Sequence, residues 1–122
     1  MLVFLSAMVI KGRWRTKVAL GDGDDLPLQR AIRAHANFVE YTPLFLLLTV
    51  LAEYQGLAFY AVHILGGAFL VGRILHAYSL LTHERYAEGK LMAYPVWRTC
   101  GIVCTFTPIT AISIILMIQF FV

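Results

Sequence analysis

The chain has 122 residues, of which 60% are hydrophobic and only 14% charged, and its formal net charge is +3. Soluble domains carry about 45–50% apolar and ~25% charged residues, so this composition excludes a water-soluble globular protein and describes a membrane protein. The small positive balance reads as membrane topology and contact with anionic lipids, with no role for nucleic acid as a partner.

The first apolar run, Met1 to Ile10, is interrupted by Lys11 after about 15 Å of helix. Either Lys11 snorkels and Arg13 to Lys17 sit at the surface, or the chain begins inside a helix that was once longer. The run has neither the basic leading segment nor the small-residue cleavage site of a secretory signal. The GDGDD stretch at Gly21 to Asp25 lacks the spacing and terminal Glu of a calcium loop and reads as a turn. Asp24 or Asp25 is expected to cap the second helix, with Pro27 in its first turn. That helix includes the apolar run Tyr41 to Ala52 and, before it, a polar cluster within RAIRAHANFVEYTPLFLLL at residues 30 to 48. From Pro27 to Glu53 it is long enough to cross a bilayer and project into the headgroups. Leu57 to Leu81 and the run after Pro95 each exceed the ~20 residues needed to cross about 30 Å of hydrocarbon. The predicted helices are therefore 1–17, 27–53, 57–82 and 92–121, a single-domain, all-α integral membrane four-helix bundle.

Basic residues gather on the cytoplasmic side of membranes. Lys11, Arg13, Arg15, Lys17, Arg30 and Arg33 surround the first connection, and Arg85, Lys90 and Arg98 the third, whereas Glu53 to Gly56 carries no Lys or Arg. The basic connections are thus expected in the cytoplasm and both termini on the periplasmic or lumenal side. Tyr94 and Trp97 read as interfacial belt residues. Cys100 and Cys104, one helical turn apart in the fourth span, suit packing and not a disulfide or metal site.

At 100° per residue, Arg30, Arg33, Asn37 and Glu40 fall within an arc of roughly 80°, so one face of the second helix is polar for three turns. His35 lies away from that arc and is expected to meet a neighbouring helix or the headgroups. Ionisable groups within a span are costly and want a partner. Arg73, which shares a face with His76 by i, i+3 spacing, is the expected ion-pair partner of Glu40. A structural salt bridge explains these two residues as well as a functional site does. Four guanidinia, on Arg30, Arg33, Arg73 and Arg98, against one carboxylate favour an anionic ligand. The Ala68 to Gly72 pair allows close helix approach, and Pro43 and Pro108 are expected to kink their helices.

RAHANFVEYTPLFL, with VGRILH at Val71 to His76, resembles the family of membrane-associated proteins in eicosanoid and glutathione metabolism (MAPEG). The likeness runs from about Lys17 to the end and is closest to a small bacterial branch with a similar GDG turn. The resemblance implies a homotrimer in the bacterial inner membrane, with glutathione as co-substrate bound between subunits. It implies that Arg33, Asn37, Glu40 and Arg73 contact glutathione, with Arg30 and His76 in the same site. It further implies that Arg98 activates the thiol beside Thr99, and that Lys17 or Arg15 closes the site. A glutathione transferase or peroxidase acting on a lipophilic electrophile or hydroperoxide is the expected activity. Three features depart from the pattern: Leu80 stands where a tyrosine is expected, with Tyr78 pointing about 160° away from it, the connection between Arg73 and Arg98 is longer than in the synthases, and the first helix is shorter than the family's. They leave a non-catalytic glutathione- or lipid-binding membrane protein as the alternative. A small four-helix exporter fits the size, but it needs a carboxylate in the first helix, where Met1 to Ile10 has none.

Overall fold

The computed structural model describes residues 1–82, 85–87, 90–92 and 95–121. Four helices run in chain order as α1 (Leu2–Thr16), α2 (Leu26–Tyr54), α3 (Phe59–Thr82) and α4 (Pro95–Phe121). A short antiparallel pair between α3 and α4, β1 (Arg85–Ala87) with β2 (Lys90–Met92), aligns Arg85 with Met92 and Ala87 with Lys90. Met92, expected in the fourth helix, is therefore in a strand. That helix starts at Pro95, where a residue without an N–H interrupts nothing. Tyr94, expected at the interface beside Trp97, lies outside the described residues.

Helices α2, α3 and α4 are each long and apolar enough to cross a membrane. The 15 residues of α1 span only about 22 Å, less than the hydrocarbon core. Its C-terminal end is held by side chains. Arg13 Nη1 donates to the carbonyls of Ala19 at 3.0 Å and Gly21 at 3.1 Å, and Arg15 Nη2 meets Asp25 Oδ1 at 2.5 Å. The same Asp25 oxygen accepts from the backbone N–H of Leu28 at 2.8 Å, so Asp25 is the N-cap of α2, with Pro27 in the first turn. Gly23 adopts φ +58, and a Cβ there would lie 2.6 Å from Val18, so this turn needs glycine on both counts.

Helices α3 and α4 cross at two glycines. A Cβ on Gly72 would lie 2.8 Å from the backbone of Cys104, and one on Gly101 would lie 2.8 Å from the backbone nitrogen of His76. Neither helix tolerates a side chain at the crossing, which is how small residues bring membrane helices together. Gly66 and Gly67, by contrast, have nothing within 4 Å of such a Cβ. Pro43 and Pro108 lie inside α2 and α4.

Two apolar clusters flank this crossing. Leu5, Ala34, Ala77 and Leu80 form one, from α1, α2 and α3. Phe45, Ala52, Phe69 and Ile112 form the other, from α2, α3 and α4, with the Phe45 and Phe69 rings stacked at 4.0 Å. Between them, Asn37 on α2, Arg73 and His76 on α3 and Thr105 on α4 make a polar layer. The outer faces carry exposed Leu46, Leu47, Val50, Ile74, Val103, Ile114 and Met117, an apolar surface suited to lipid contact.

Candidate functional site

A cavity of about 120 Å³ opens beside the polar layer, lined by Arg33, Ala36, Asn37 and Glu40 of α2, His76 and Leu80 of α3, and Arg98 of α4. The spacings on α2 place its contribution on one helical face, and His76 and Leu80 are one turn apart on α3. Arg98 comes from the first turn of α4, brought there because Gly101, three residues on, packs against the His76 backbone. Arg33 and Glu40 are exposed, while Asn37 and Arg98 are half-buried. A cavity with two guanidinia, a carboxylate, a carboxamide and an imidazole can bind a ligand carrying both signs of charge.

Arg73 lies behind this lining. It is 3% exposed, and its Nε donates to Thr105 Oγ1 at 2.9 Å. Nη2 donates to the same Thr105 oxygen, and Nη1 to Asn37 Oδ1 and, at 3.4 Å, to the Asn37 carbonyl. The guanidinium carbon also sits 5.2 Å from the centre of the Tyr41 ring and 5.9 Å from that of Phe69. The expected Arg73–Glu40 ion pair is therefore not formed; among the described residues the ion pair is Arg15–Asp25. The reason is register, since α3 and α4 bring Arg73 against neutral oxygens and aromatic faces, which stabilise a buried cation without a carboxylate.

Thr105, 0% exposed, is the partner that sequence reasoning missed. The fourth span also carries Thr107, Thr110 and Ser113, so nothing in the sequence singles out Thr105, which only the helix crossing connects to Arg73. Gly101 was missed for the same reason. His76 is buried, and among the described residues neither its Nδ1 nor the Ser79 hydroxyl one turn further on has a hydrogen-bond partner.

Of the other expected residues, Arg30 is half-buried with its Nε lacking an acceptor among the described residues, and Thr99 is exposed. Neither lines the cavity. Arg15 holds Asp25 and, with Lys11, lines a separate groove of about 400 Å³ between α1 and α2. Lys17 is the left-handed cap of α1. His35 faces α1, where Nε2 lies 3.1 Å from Ser6 Oγ. Tyr78 stands edge-on to Trp97 at 6.4 Å and lines an apolar groove with Phe4 and Ile74, away from Leu80. Cys100 and Cys104 are free thiols.

The sequence profile of the MAPEG family matches residues 1–118. The chain is 36% identical over 105 residues to inner membrane protein YecN of Escherichia coli strain K12, covering 86% of this chain and 72% of YecN. YecN of Escherichia coli O6:H1 matches to the same extent. No solved structure matches the chain.

Proposed function

This chain belongs to the MAPEG family, and from that premise we propose that it is a glutathione-binding enzyme of the transferase or peroxidase type, resident in the inner membrane as its relative YecN is named. The observation that carries the reading is the convergence of Arg33, Asn37, Glu40, His76 and Arg98 from three helices on one cavity. The family includes glutathione transferases, and glutathione carries two carboxylates, one ammonium, amide groups and a thiol, which match these side chains in kind. Arg33 binds a carboxylate, Asn37 bonds the peptide backbone and Glu40 accepts the ammonium. Arg98 stabilises the thiolate: a free thiol titrates near ~8.5, and an adjacent guanidinium lowers that value. The thiol proton leaves to solvent. The sulfur then bonds to an electrophilic carbon as the leaving group departs with its electron pair, or bonds to the outer oxygen of a hydroperoxide as the O–O bond breaks and the alkoxide leaves to take up a proton. In the second case the thiol of a second glutathione then displaces water from the resulting sulfenic acid to give the disulfide. The lipophilic substrate arrives laterally from the bilayer.

Small-molecule sites ordinarily enclose ~300–1,000 Å³, and this cavity holds about 120 Å³. The shortfall, together with the exposure of Arg33 and Glu40, supports completion of the site by a neighbouring copy, in the homotrimer that the family resemblance implies. The basic connections face the cytoplasm in this reading.

Leu80 in the cavity wall favours a second reading, a glutathione-binding protein without turnover. Thiolate absorbance during glutathione titration of the purified protein separates the two. A signal in the wild type that is lost in Arg98→Leu is the expected result. Binding without a thiolate signal in either protein assigns the non-catalytic reading, and no binding at all removes both.

A further inference from the structure

We infer that Arg73 and Thr105 are positioning residues that fix the Asn37 carboxamide so that only its NH2 edge faces the cavity, making this wall select an acceptor oxygen, carboxylate or carbonyl, on the ligand. The inference deepens the glutathione reading and rests on it for the identity of the ligand, though not for the orientation of the amide.

The orientation follows from counting donors and acceptors. An arginine has five N–H donors and no acceptor, and one that is 3% exposed must satisfy them within the protein. Thr105 Oγ1 receives two of them, from Nε and Nη2. The Thr105 hydroxyl hydrogen is committed to the carbonyl of Gly101 at 2.7 Å, so towards Arg73 its oxygen acts as an acceptor alone. Held in this way, the guanidinium directs Nη1 at the Asn37 side chain. A carboxamide can meet a guanidinium only through its oxygen, because the flipped amide would set donor against donor. The assignment of oxygen and nitrogen is thus dictated by chemistry.

With Oδ1 occupied, Nδ2 remains, and Asn37 lines the cavity between Arg33 and Glu40 on the same face of α2. The row then offers a cation, a neutral pair of donors and an anion in sequence along the helix. Such a row reads the direction of a zwitterionic ligand as well as its charge. Arg73 contributes without touching the ligand, since it does not line the cavity.

Asn37 is the sole asparagine of the chain, so the full-length protein labelled with 15N-asparagine shows one side-chain NH2 pair by NMR. In detergent without ligand, the wild type and Thr105→Ser are expected to give one sharp pair. Thr105→Val, of similar shape but without the acceptor, is expected to give a broadened or doubled pair. In calorimetric titrations with glutathione, Thr105→Val binds about tenfold more weakly and Thr105→Ser recovers the affinity. Asn37→Asp keeps the contact to Arg73 but has no donor, and adding Thr105→Val to it causes no further loss of affinity.

A Thr105→Val spectrum identical to the wild type overturns the inference, as does full additivity of the two substitutions. If Thr105→Val does not fold, the wild type alone decides: an NH2 pair that shifts on glutathione saturation supports the inference, and one that stays fixed overturns it. Absence of calorimetric binding by the wild type removes the glutathione reading, whereas the ligand-free spectra still test the amide orientation.

Discussion

Arginines organise two regions of this protein, and they do so by opposite means. Where α1 gives way to α2, Arg13 gathers backbone carbonyls and Arg15 pairs with the carboxylate of Asp25, all near solvent. In the bundle, Arg73 meets no carboxylate among the described residues and relies on Thr105, Asn37 and two aromatic faces. The first arrangement neutralises charge and ties down a turn. The second leaves a net positive charge inside the helices, beside a cavity that already contains Arg33 and Arg98. Burial makes the difference in energy: an exposed pair is worth about 0–1 kcal/mol, whereas each buried acceptor left without its donor costs ~1–3 kcal/mol.

The sharpest way to break this comparison is Arg73→Ala. It removes a buried cation, leaves the Asn37 and Thr105 oxygens without their donor and opens a void. A loss of about 3–5 kcal/mol is expected from the two unsatisfied acceptors and the void together, measured as a lower denaturation midpoint in detergent. Gly101→Ala comes next, because its Cβ would lie 2.8 Å from the His76 nitrogen. Overpacking of this kind costs ~1–3 kcal/mol, and the displacement of α4 from α3 is expected to weaken glutathione binding in calorimetry. At the α1–α2 turn, Asp25→Ala removes both the cap on Leu28 and the partner of Arg15. It should cost about 0.5–2 kcal/mol, seen in the melting curve with glutathione affinity unchanged. Arg15→Ala is the smallest: the side chains of the pair are 55% and 28% exposed. A destabilisation below ~1 kcal/mol that shrinks further in high salt is expected. A larger effect from Arg15→Ala than from Arg73→Ala would invert the comparison.

Much of the candidate site was legible in the sequence because it is local. The row Arg33, Asn37 and Glu40 follows from helical periodicity alone, as does the shared face of Arg73 and His76. Asp25 was one of two capping candidates because a carboxylate before Pro27 is a helix start. The ion pair Arg73–Glu40 was not legible: opposite charge suggested it, but which residues meet depends on how far α3 slides along α2. The strands β1 and β2 are three residues each, too short for alternation to distinguish them from a helix start at Met92.

By itself, then, the sequence determined a membrane protein of four helices and the ligand-like polar face of α2. Composition and periodicity are properties of a chain with only near neighbours, so they survive without a fold. The tertiary structure decided that Gly72 and Gly101 form the crossing, that Arg73 rests on Thr105 and not Glu40, and that Arg98 joins the α2 row across one cavity. Each of these depends on the register between helices, set by close contact of backbones far apart in sequence, which no local pattern encodes.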